Sequence, residues 1–189
     1  MKKSIIIVLI AILLITGLVI LTGCTNNEVD NENVNNINTG AKVDLKFNFE
    51  HMNGKVYNTL FNISRDDRVV EFDEVEPNYV RIENEKENYG IELTLDTEAK
   101  EAYKQFQTTA KENSELYEEV KFAKFNGYFS KTDDEIYGYI LLDESDSTFN
   151  AFVMFNIYLV DENSENNDIQ TIYKSSNIQN ILKSVTFKS

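Results

Sequence analysis

The fold class this sequence predicts is α+β, a mainly antiparallel β-sheet covered by a mid-chain helix and a C-terminal helix. Three observations predict it. From residue 42 onward, short runs of alternating apolar and polar residues are separated by turn signals; stretches near residues 100 and 175 switch to three- and four-residue spacing; and one late run is apolar on both faces. A chain of 189 residues has room for one core of the usual size, so a single domain over residues 42–189 is expected, with appendages before it.

The first appendage is residues 1–23. Met1-Lys2-Lys3 is cationic, and residues 4–23 hold no charged side chain and are dominated by Ile, Leu and Val, the composition of an export signal. The run ends in Leu21-Thr22-Gly23-Cys24, which resembles the lipobox of bacterial lipoprotein signal peptides. The resemblance implies cleavage before Cys24 and a diacylglyceryl group on its thiol. An uncleaved membrane helix is the alternative, because about 18 or more apolar residues can span a bilayer. The lipobox is preferred because the one Cys of the chain stands at the position it requires. Either way the two lysines stay cytoplasmic and everything after residue 24 faces the extracytoplasmic side of a bacterial cell membrane. Residues 24–41 form the second appendage, a flexible tether: TNNEVDNENVNNINTG has seven Asn in sixteen residues and too few apolar ones to offset the entropy of ordering.

Within the domain, Val43, Leu45, Phe47 and Phe49 alternate with polar residues, and Asn53-Gly54 turns this strand into a second one over residues 55–64. Val69, Val70 and Phe72 suggest a short strand, and residues 79–83 and 89–95 suggest two more, with Ile91, Leu93 and Leu95 on one face. Asp96-Thr97 followed by Glu98 and Glu101 reads as a helix start, and Ala99, Ala102, Tyr103, Phe106 and Ala110 as its apolar stripe. Strands are expected over residues 121–130, 135–143 and 148–161. The last has Ala151, Val153, Phe155 and Ile157 on one face and Phe152, Met154 and Tyr158 on the other, so both faces should be covered. Ile169 to Leu182 is helical in spacing with a break at Ser175-Ser176, and residues 184–187 suggest a terminal strand.

Phe125-Asn126-Gly127-Tyr128 leading into residues 135–143, and the closing NIQNILKSVTF, resemble the PsbP-like α/β/α sandwich in the order of elements over residues 43–189. Where relatives often carry a Pro-Trp pair after an early strand, this chain has Ser64-Arg65-Asp66-Asp67 and no Trp. The resemblance implies an exported scaffold that docks onto or helps assemble other proteins. It brings no catalytic residue with it.

Composition narrows the chemistry. A net charge of −14 opposes nucleic-acid binding, which needs clustered Lys and Arg. One Cys allows no internal disulfide, and one Cys with one His cannot close a zinc site. A nucleophile–His pair would have to use His51, which sits beside a turn, and the chain lacks a G-x-S-x-G elbow. The 161–168 loop, DENSENND, alternates oxygen side chains as a calcium loop does, but has Asn166 and Ile172 where an EF-hand has Gly and Glu. It and residues 143–147 read as solvated turns. No cofactor is expected. Tyr128, Tyr137 and Tyr139 lie on adjacent strands, and an exposed cluster of them would make a docking surface. The expected function is a non-catalytic, lipid-anchored docking or assembly module with a protein partner; the alternative is a small-ligand or calcium-binding sensor.

Overall fold

A computed structural model describes residues 42–49, 55–72 and 77–188 of the chain. Cys24, the Asn-rich tether, His51 and the Asn53-Gly54 turn lie outside these residues. The fold is α+β. Ten strands are described: β1 Lys42–Phe49, β2 Lys55–Asn62, β3 Arg68–Phe72, β4 Tyr79–Asn84, β5 Tyr89–Ala99, β6 Leu116–Phe122, β7 Phe125–Lys131, β8 Glu135–Asp143, β9 Phe149–Tyr158 and β10 Thr186–Lys188. The helices are α1 Lys100–Asn113, α2 Ile169–Lys174 and α3 Ser176–Lys183. Seven strands in the order β3-β4-β5-β9-β8-β7-β6 form the main sheet and β1-β2-β10 a smaller one, with every pairing antiparallel.

The central position of β9 follows from its two apolar faces. Ala151, Val153, Phe155 and Ile157 enter a large core with Leu45 and Phe61 of the small sheet and with Ile172, Ile178 and Leu182 of α2 and α3. Phe152, on the opposite face, enters a second core beneath α1, with Tyr103, Ala110, Tyr128 and Tyr139. Each buried side chain of this size contributes about 1.5–3 kcal/mol by leaving water. Tyr57 Oη donates to Asp143 Oδ2 at 2.9 Å, tying the small sheet to the rim of the large one. Asp67 is buried and fully partnered: it accepts from Tyr89 Oη, from Asn84 Nδ2 at 2.8 Å and from the Ser64 N–H at 2.6 Å.

Two expectations are corrected. The helix does not start at Asp96. Residues 96–99 continue β5, because Asp96, Thr97, Glu98 and Ala99 face Phe152, Ala151, Asn150 and Phe149 and complete the β9 ladder. α1 therefore begins at Lys100 without a side-chain cap, its first N–H donating to Thr148 O at 2.9 Å. Residues 121–130 are not one strand either. They are the end of β6, a turn at Ala123 and Lys124, and most of β7, so β6 is an edge strand that the pattern did not announce. The break at Ser175 does occur, and Ser175 Oγ accepts from the Ile178 N–H at 3.4 Å to start α3.

Candidate functional site

Cross-strand partners share one face of a sheet, so the registers lay out the face that α1 packs on. One row crosses it as Glu71, Arg81, Glu92, Asn156, Tyr137, Ser130 and Tyr117. The next runs Tyr79, Thr94, Met154, Tyr139, Tyr128 and Glu119. Both rows change character midway. Over β6 to β8 they carry Tyr117, Tyr128, Tyr137 and Tyr139, with Ser130 and Glu119, and pack under or beside α1, whereas over β3 to β5 they are charged or hydroxylated and add nothing to the core beneath α1.

This divides the tyrosines differently from the sequence expectation. Tyr128 is fully buried and Tyr139 nearly so, each packed against Tyr103 of α1 at centroid distances of 6.1 and 5.8 Å. They are core residues and present no docking surface; the helix stripe that was expected to pack on the sheet packs on them. Tyr137 is half-buried at the margin of α1, its Oη 3.3 Å from Ser114 Oγ. Of the three, only Tyr137 borders open surface.

The uncovered half carries Tyr79, Arg81, Glu83, Glu92, Asn156 and Tyr158, all half-buried, and Met154 borders it, packed against the core beneath α1. Tyr158 lies flat over Gly90, where a Cβ would stand 2.1 Å from its ring, so Gly90 is required for that close approach. Tyr158 Oη donates to Glu83 Oε1 and Tyr79 Oη to Glu92 Oε1, both at 3.3 Å. Arg81 stands between them, 3.7 Å from Glu71 Oε2 and 3.9 Å from Glu83 Oε1. Burial opposes the guanidinium charge, but Tyr158, Glu71, Tyr79 and Glu83 together hold its pKa above the ordinary value. Burial, then Glu83, pushes the Tyr158 phenol up to about 12. Asn156 Oδ1 and Arg81 Nε are out of solvent without a hydrogen-bond partner among the described residues.

Sequence reasoning passed over Tyr79, Arg81 and Tyr158. The signal was present in the contrast between YVRIEN over 79–84, polar on alternate positions, and FNAFVMFNIY over 149–158, apolar on both faces. A helix covers a sheet face only where that face is apolar.

The acidic turns spend their oxygens locally. Asp161 Oδ1 accepts from the Asn163 N–H at 2.9 Å, and Asp168 caps α2 through the Gln170 N–H at 3.0 Å and Thr171 Oγ1 at 2.6 Å. Asp146 Oδ1 accepts from the N–H groups of Thr148 and Phe149. Among the described residues no three His, Cys, Asp or Glu side chains converge as metal ligands would. None of the described helices is long and apolar enough to cross a membrane.

No family model matches the chain, and no curated protein does. It is similar to a crystal structure of a protein from Bacteroides thetaiotaomicron VPI-5482, at 10% identity and a TM-score of 0.41, over 69% of this chain. The chain spans 45% of that structure's length.

Proposed function

We propose that this chain is a non-catalytic docking module, held by a lipid on Cys24 at the extracytoplasmic face of a bacterial cell membrane, that takes a protein partner on the half of its main sheet that α1 leaves bare. The observation that carries the reading is the composition of that half-face. Tyr, Arg and Met are the residues enriched at the centres of protein interfaces, and here Tyr79, Arg81 and Tyr158 share one face outside the core that α1 covers, with Met154 at its border. Glu71, Glu83 and Glu92 outnumber Arg81, so the partner presents Lys or Arg side chains to them. The exposed large hydrophobics among the described residues, Val56, Phe72 and Val160, sit on separate segments, so recognition is polar and aromatic more than greasy. Anchoring is supported by the charge-free run to residue 23 and the lone Cys behind it. The finer fold assignment, a PsbP-like sandwich, is supported by element order: a sheet, a mid-chain helix, the Phe125-Asn126-Gly127 strand, and a closing helix that runs into a short strand.

Cross-linking in intact cells, read by mass spectrometry, tests this. The expected result is one dominant conjugate that vanishes with Cys24→Ala and falls by about tenfold with Arg81→Glu or Tyr158→Ala, the loss of one central contact at an interface. A conjugate indifferent to the two face variants, or no specific conjugate, overturns the reading.

A further inference from the structure

On the same face of the main sheet, the Lys100, Tyr103, Lys104 and Gln107 side of α1 and the ends of β6 to β9 enclose a groove of about 640 Å³. That volume lies in the range of small-molecule sites. Three features of its lining point to a ligand. First, three lysines, Lys100, Lys104 and Lys121, meet there in a chain whose acids outnumber its bases by 32 to 18. Lys121 has no ion pair among the described residues. Lys100 Nζ is held by Glu144 O at 2.9 Å, and Lys104 by Glu101 at 3.4 Å.

Second, of the two glutamates in the lining, Glu119 and Glu144, the first is already paired. Glu119 Oε1 accepts from Lys111 Nζ at 2.8 Å and from Gln107 Nε2 at 3.4 Å, and the Lys111 hydrogen bond holds its pKa below the ordinary value. Third, Asn150 is only 4% exposed, lines the groove, and its Oδ1 has no hydrogen-bond partner among the described residues. A buried acceptor left unpaired costs stability that nothing in the fold returns. Its Oδ1 is out of solvent in this conformation, so a hydroxyl of a bound molecule would satisfy it with a turn of the Asn150 amide into the groove.

We propose that this groove binds a hydroxylated organic anion of sugar size. Lys104 and Lys121 hold the anionic group, and Asn150 Oδ1 accepts from a hydroxyl of the ring. The charge and the hydroxyl are both required, which separates this ligand from a neutral sugar and from a bare anion.

Isothermal titration of the full chain in detergent with glucose 6-phosphate, glucuronate, glucose and inorganic phosphate tests the assignment. One or both anionic sugars should bind, with glucose and inorganic phosphate at least about tenfold weaker, and the choice between the two identifies the anionic group. Lys121→Ala, Lys104→Ala and Asn150→Ala should each weaken binding by about tenfold, the usual cost of one charged or buried hydrogen bond. Lys104 and Lys121 lie on the surface, so their variants decide the matter if Asn150→Ala fails to fold. The proposal is overturned if neither anionic sugar binds, if inorganic phosphate or glucose binds as well, or if the lysine variants leave the affinity unchanged.

Discussion

Tyr128 Oη is fully buried and has no hydrogen-bond partner among the described residues, while its ring packs on those of Tyr103, Tyr117 and Tyr139. The ring therefore stabilises the second core and the hydroxyl opposes it. Removing the hydroxyl leaves the packing and takes away an unpaired polar atom. Tyr128→Phe is expected to stabilise the chain by about 1 kcal/mol, a rise of about 2–4 °C in Tm for a domain of this size. A loss of stability in thermal melts would mean that the hydroxyl has a partner and that the packing account is wrong. The same residue shows why the tyrosine site was misread from sequence. Alternation places Tyr128, Tyr137 and Tyr139 on one face of adjacent strands, and that much was legible. Whether a face is covered depends on where a helix docks, and the apolar stripe of α1 pointed to the sheet without saying which strands it would cover.

At the scale of elements, two tight connections depend on a residue with positive φ: Asn88 at 58°, between β4 and β5, and Ala123 at 54°, between β6 and β7. Asn88 is there for its side chain. Its Nδ2 donates to Asp161 O at 2.9 Å and Asn166 O at 2.6 Å, and its Oδ1 accepts from the Asp161 N–H at 2.8 Å, clamping the acidic loop to the hairpin. Ala123 has no comparable function, and its Cβ is strained in this conformation. Glycine should thus act oppositely at the two sites. Ala123→Gly is expected to gain about 0.5–1 kcal/mol by relieving strain, and Asn88→Gly to lose about 1–3 kcal/mol despite an easier backbone, through three lost hydrogen bonds. Denaturant titration of both variants checks this, and equal effects of one sign would refute it. Ala123 also explains the one strand pair the sequence concealed. FAKF contains neither Gly, Asn nor Pro, so nothing marked a turn there, whereas the break at Ser175 and the double-sided β9 announced themselves by local chemistry. Likewise the capping pattern at Asp96 was locally sound, but the β9 ladder outweighed it over four more residues.

For the molecule as a whole, surface ion pairs such as Lys131 with Glu115 at 2.6 Å and Lys111 with Glu119 at 2.8 Å are exposed and contribute little. Cohesion rests on two aromatic-rich cores on opposite faces of one sheet, and this sets the response to alkali. Of the ten tyrosines, nine have phenols held above their ordinary pKa, with burial the leading cause in each. Tyr158 and Tyr173 are pushed up to about 12, against about 10 in an unfolded chain. Between these values the folded state binds more protons than the unfolded one, so unfolding becomes easier as pH rises. The contribution is complete below pH of about 10 and is lost as pH climbs through about 12. Thermal melts from pH 8 to 12, followed alongside phenolate absorbance, should show Tm nearly level at first and then falling steeply, with most phenols ionising only as the chain unfolds. Tyr158 on the bare half-face, less buried than the core tyrosines, should ionise before Tyr128 and Tyr139. If instead all the phenols titrated together near their free value in a chain still folded, neither the second core beneath α1 nor the division of the face into covered and bare halves would stand.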